Sequence, residues 1–148
     1  MLWGWPALLR GLLLFGAPLS FILVLLLGIV AHEALHGLAW RLAGRVPWSA
    51  IRFGFQLKTL TPYAHCAVPL EVRSYRIGTA APGVVLGLLP LLVATVSGNG
   101  WLLRFGVFFS LAAVGDLIIL WTLRGVPAGR RVKDHPTRAG CYVLAPGA

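Results

Sequence analysis

A chain of 148 residues has room for one domain, and with 58% hydrophobic and 11% charged residues it cannot clothe a water-facing surface of that size in polar groups. The mean hydropathy of +0.83 excludes an ordinary soluble domain and points to an integral membrane protein. The net charge of +9 is no sign of nucleic acid, because the basic residues form no compact patch and no groove-reading or base-stacking module surrounds them.

Taken in chain order, the first long feature is an apolar run from Gly11 to Ala31. As a helix it is long enough to cross a hydrocarbon core of about 30 Å. Pro18 either kinks this helix or marks its start, in which case the first 16 residues form an interfacial helix anchored by Trp3 and Trp5. A signal peptide is excluded, since the run is too long and ends in no small-residue cleavage site. It ends instead in His32-Glu33-Ala34-Leu35-His36, an HExxH sequence. Residues four apart share a helix face, so His32 and His36 converge on a point where a metal ion can sit. Glu33 lies about 100° around the axis, placed to reach a water on that ion rather than the ion itself. The first span is expected over about 11–42, ending at Gly44 with Arg41 and Arg45 at its edge.

Residues 46–75 change character, with Pro, Thr, Tyr, Gln, Lys and Arg entering. Ser49 to Lys58 alternates with the period of a strand and is expected to pair with Ala64 to Val68 as a short hairpin turning at Thr61-Pro62. A second span is expected over 77–96, made irregular and closely packable by Pro82, Gly83, Gly87 and Pro90. A third runs over 101–123 after the turn Ser97-Gly98-Asn99-Gly100. The tail, 124–148, is basic and rich in Pro and Gly and is read as peripheral with little regular structure. The expected fold is an all-α membrane protein of about three transmembrane helices with a short cytosolic β-hairpin, as one domain over 1–148.

Three spans put eleven of the thirteen basic residues on one side, leaving Arg10 and Arg104 on the other. The positive-inside rule therefore places hairpin and C-terminus in the cytosol of a multi-pass protein of the cell membrane. Cys66 and Cys141 fall on that side, lack ligand spacing, and are read as reduced bystanders.

A catalytic zinc takes three protein ligands and keeps a fourth position open, so the two histidines need a partner. The chain has only four acids, Glu33, Glu71, Asp116 and Asp134, and Asp116 lies inside the third apolar span, where a lone carboxylate is costly unless protonated, paired or bound to metal. Counting back from Arg41 and Arg124 at about 1.5 Å per residue puts His32, His36 and Asp116 at similar depth. His65 is either a substrate or transition-state contact near the metal or a solvated loop histidine. Asp134 and His135, before Pro136, are read as turn-capping residues.

These features together resemble a family. HEALH closes an apolar helix, a polar hairpin follows, Pro69-Leu70-Glu71-Val72-Arg73-Ser74-Tyr75-Arg76-Ile77 leads into Ala81-Pro82-Gly83, a later helix carries Gly115-Asp116-Leu117-Ile118-Ile119, and the tail carries DHPTRAGCYV. From about residue 28 the chain looks like the small bacterial zincin-type membrane metallopeptidases, an HExxH-bearing family of domains of unknown function. It is more distantly similar to the site-2 proteases. That resemblance implies His32, His36 and Asp116 as zinc ligands and Glu33 as general base, although site-2 proteases set their aspartate in a different local context from Gly115-Asp116-Leu117. The expected activity is a zinc-dependent endopeptidase cutting a peptide bond in or next to the membrane, with Glu33 activating a zinc-bound water. Its expected partners are the lipid bilayer and a membrane-protein or peptide substrate, and no nucleic acid. The alternative is a catalytically inactive membrane protein whose metal is structural or regulatory. A metal transporter fits less well, as three spans carry no second polar cluster to mark an entry or exit.

Overall fold

The structure, a computed structural model, describes Pro6 and residues 18–57, 61–135 and 139–145. Pro6 apart, the expected interfacial helix over the first 16 residues lies outside these. Helix α1 (Pro18–Gly44) is 27 residues, about 40 Å long. It closes at Arg45, whose φ of 52° is the left-handed conformation that usually ends a helix on glycine. Helix α2 (Val72–Ser97) begins five residues before the expected span and runs antiparallel to α1. Pro82 and Pro90 each remove a helical donor, and between them the helix widens into a π-helical turn over Gly83–Leu88. The third span is not one straight helix. Helix α3 (Gly100–Ala112), capped by the Asn99 side chain accepting from the N–H groups of Trp101 and Leu102, gives way at Ala113 to α4 (Val114–Leu123) with a bend of 47°. No proline marks the break, and Ala113 is buried there against Gly83.

Helices α1 and α2 are each long and apolar enough to cross a membrane, and α3 with α4 make a third crossing if the bent pair is one span. Their large apolar side chains point outward, Leu19, Leu27, Val96 and Leu111 among them. That inverts the pattern of a water-soluble protein and is consistent with an integral membrane protein.

Two small antiparallel sheets cap one end of the helices. Strands β1 (Ile51–Gln56) and β2 (Thr61–Cys66) form the expected hairpin, with Ile51 opposite Cys66 and Gln56 opposite Thr61. The turn is not at Thr61-Pro62, which lie within β2. Pro62 is tolerated because its missing N–H falls on the edge that β1 does not use. The second sheet corrects the reading of the tail. Strand β3 (Leu70–Glu71) pairs with β4 (Arg131–Asp134), which pairs with β5 (Cys141–Val143). Along β4, Val132 and Asp134 are buried and Arg131 and Lys133 exposed, an alternation too short to stand out in a Pro- and Gly-rich sequence.

The packed core sits beneath these sheets, where Trp40, Leu70, Val72, Tyr75, Leu123 and Val132 meet. Arg76 donates to the carbonyls of Leu123 and Val126, tying α2 to the C-terminal end of α4 and the turn after it. A Cβ on Gly115 would meet nothing within 4 Å. The close approaches are elsewhere: a Cβ on Gly78 would lie 1.9 Å from Trp40 Cδ1. Gly78→Ala is therefore expected to destabilise the fold by about 1–3 kcal/mol, read as a lowered thermal midpoint in detergent, while Gly115→Ala leaves the midpoint unchanged.

Candidate metal centre

On α1, His32 and His36 are both buried, one helical turn apart, with ring centroids 4.9 Å from each other. The bend at Ala113 sets Asp116 in the first turn of α4, and this carboxylate meets both rings: His32 Nε2 lies 3.2 Å from Oδ2 and His36 Nε2 3.4 Å from Oδ1. One ligand atom from each residue falls within 4.8 Å of the others. Two atoms bound at about 2.1 Å to a tetrahedral zinc stand about 3.4 Å apart, so the ring-to-carboxylate distances suit such an ion. Asp116 Oδ2 is buried and has no hydrogen-bond partner among the described residues even with His32 Nε2 so close. The chemistry of the set, two imidazoles and a carboxylate, is that of a zinc site.

Local sequence explains why His36 is held ready. Pro82 has no N–H, so the carbonyl of Gly78, four residues earlier, loses its helical donor, and the N–H of Gly83 goes to Ala80. The freed Gly78 carbonyl lies 2.9 Å from His36 Nδ1. With its Nδ1 proton engaged there, His36 presents the Nε2 lone pair to the centre, the arrangement that orients a metal-bound histidine. The ring of His36 stacks on Trp40, which stacks on Tyr75, and Trp40 Nε1 donates to the Tyr75 carbonyl at 3.1 Å.

The three residues line a cavity of about 610 Å³ that also takes in Glu33, His65 and Asp134. The Glu33 carboxylate accepts from the backbone N–H of Ala64 on β2. Cys66, two residues on, sends its N–H to Asp134 Oδ2 at 3.2 Å. The edge of β2 not paired with β1 thus faces the cavity. His65 is half-buried with Nδ1 3.1 Å from Asp134 Oδ2, and the Tyr75 hydroxyl donates to Oδ1 at 2.8 Å. Sequence reasoning gave Asp134 only a turn-capping role, and its real neighbours lie 59 and 68 residues away. Nothing local to Asp134-His135-Pro136 signals them. Burial pushes the Asp134 carboxyl up from its ordinary value, against the pull of these donors. Burial likewise raises the thiols of Cys66 and Cys141, the latter to about 11, and both cysteines are free.

Two expectations follow for metal content. The wild type binds one zinc per chain in a chelator-competition titration, and His36→Ala and Asp116→Ala abolish it. Pro82→Ala returns an N–H to the Gly78 carbonyl and weakens binding by about 10–100-fold; unchanged affinity would mean that the Gly78 carbonyl does not orient His36.

No curated protein and no solved structure matches the chain. Residues 25–130, which carry both histidines, Glu33 and Asp116, match the family described as "Putative zincin peptidase", whose chemistry implies zinc. On that match, covering most of the sequence, the chain belongs to this family of zincin-type metallopeptidases.

Proposed function

We propose that the chain is a zinc-dependent endopeptidase that hydrolyses a peptide bond in or next to the bilayer. The observation that carries this reading is the convergence of His32, His36 and Asp116 beside Glu33, in a cavity between otherwise apolar helices. Ionisable groups in such helices are costly and mark function. Zinc held there would polarise the scissile carbonyl and acidify a water. Glu33 takes the proton from the attacking water and delivers it to the departing amine. Its bond to the Ala64 N–H keeps the carboxylate at the cavity side of α1 in the meantime.

His65 is the candidate for the carbonyl oxygen on which charge develops. With Nδ1 turned to Asp134, Nε2 is the ring atom left to meet substrate, and in the protonated form it donates to that oxygen. Asp134 is a positioning residue for this ring. The two-stranded hairpin offers an extended segment of substrate an edge strand to pair with, which matters because peptide bonds within a helix are shielded by their own hydrogen bonds. The excess of basic residues supports a cytosolic location for both sheets.

The test is reconstitution of purified protein into vesicles with a library of tagged single-span peptides, with cleavage read by mass spectrometry and zinc measured in the same samples. Glu33→Gln is expected to keep its zinc and lose about 10²–10⁴-fold in rate. His65→Gln is expected to lose about 10²-fold, and Asp134→Asn about ten-fold in kcat with KM unchanged. A wild type that holds zinc but cuts no faster than Glu33→Gln overturns the peptidase reading in favour of a structural or regulatory metal.

A further inference from the structure

A second cavity, of about 790 Å³, opens where the two long spans end. Helix α1 finishes there at Gly44 and α2 starts at Val72, so the cavity lies at headgroup level when these helices cross a bilayer. Its walls carry guanidinium groups from three separate segments: Arg45 after α1, Arg73 on α2 and Arg131 on β4. All three are exposed. Arg45 and Arg73 have no side-chain hydrogen bond or ion pair among the described residues, and Arg131 reaches only the Pro69 carbonyl, at 3.1 Å. Glu71, the one acid in the lining, stands opposite Arg131 in the β3–β4 ladder but forms no ion pair with any of the three among the described residues, leaving a net positive cavity. Arg45 holds its left-handed backbone at a position where glycine would be less strained, so a cation stands where the fold alone would favour none.

Beside this cationic rim, Ile77 lines the same cavity and is 47% exposed on α2. Unpaired guanidiniums next to an exposed apolar side chain, at the depth where a bilayer passes from headgroup to acyl chain, match the two halves of one kind of molecule. Arginine forks suit phosphate oxygens, and basic residues at this level attract anionic lipid. We infer that this cavity binds the phosphate of an anionic phospholipid, with Arg45, Arg73 and Arg131 around the headgroup and an acyl chain against Ile77. The site is separate from the metal centre and does not depend on the peptidase reading.

The experiment uses the full chain in neutral detergent, with bound lipid counted by native mass spectrometry after addition of phosphatidylglycerol, phosphatidylcholine or inorganic phosphate. The wild type is expected to retain phosphatidylglycerol about ten-fold better than phosphatidylcholine, and the combined variant Arg45→Gln, Arg73→Gln, Arg131→Gln to lose that preference at an unchanged thermal midpoint. Should the triple variant unfold, the single variants Arg73→Gln and Arg131→Gln are compared instead, each expected to retain less phosphatidylglycerol than the wild type. Equal retention of the two lipids by the wild type, or a preference that survives the substitutions, overturns the inference. Displacement of phosphatidylglycerol by inorganic phosphate alone overturns the lipid assignment and leaves a free-phosphate site.

Discussion

The candidate metal centre turns on the carbonyl of Gly78. A helix normally spends each carbonyl on the N–H four residues ahead, but Pro82 has none, and a bare carbonyl among apolar helices costs about 1–3 kcal/mol if left unpaired. His36 Nδ1 fills that vacancy at 2.9 Å. One contact thereby satisfies an orphaned acceptor, fixes which ring nitrogen carries the proton, and locks α1 to α2 at the level of the site. The absence of a side chain at Gly78 completes the arrangement, since only then can the Trp40 ring lie against α2 and stack between His36 and Tyr75.

The chain divides its stability between two environments. Along the spans the apolar side chains face outward, and the close contacts are made by small residues: Gly28 beneath Phe109, Gly87 beside Ser110, and Gly106 against the backbone of α2. Helices that face lipid have no hydrophobic drive to bring them together, so close packing takes that role. At the end capped by the sheets the pattern reverses, and Val72, Tyr75 and Val132 are almost wholly buried in a core of the water-soluble kind. The polar cavity lies between these regions, near enough to the apolar spans to be shielded and near enough to the sheets to draw on their backbone donors.

Those donors give the tail its importance. Asp134 lies beyond the segment that matches the zincin-type family, yet its carboxylate gathers the Tyr75 hydroxyl, the Cys66 N–H and His65. A buried carboxylate with that many partners is held in place. It joins β4 to β2 and α2, and with His135, Ala139 and Gly140 it forms part of the cavity wall.

What the sequence determined by itself is what depends on near neighbours in the chain. The apolarity of α1 and α2, the closure of α1 at Gly44, the hairpin, and the facing of His32 and His36 all follow from spacing over one or two helical turns or a few alternating residues. Asp116 was legible by elimination, because of the three acids outside the HExxH sequence only one lies in an apolar span. Tertiary structure alone decided the break at Ala113, where no proline sits and Ala113 packs against Gly83. It decided the strands of the tail, whose partner β3 is only two residues long. It also decided the clustering of Asp134 with Tyr75, His65 and Cys66, and the meeting of Gly78 with His36, for Pro82 announces a freed carbonyl in the sequence but not the ring that will claim it. The Asp134 cluster and the meeting of Gly78 with His36 join residues 42 to 69 positions apart, and local periodicity carries no information about which distant side chain will arrive.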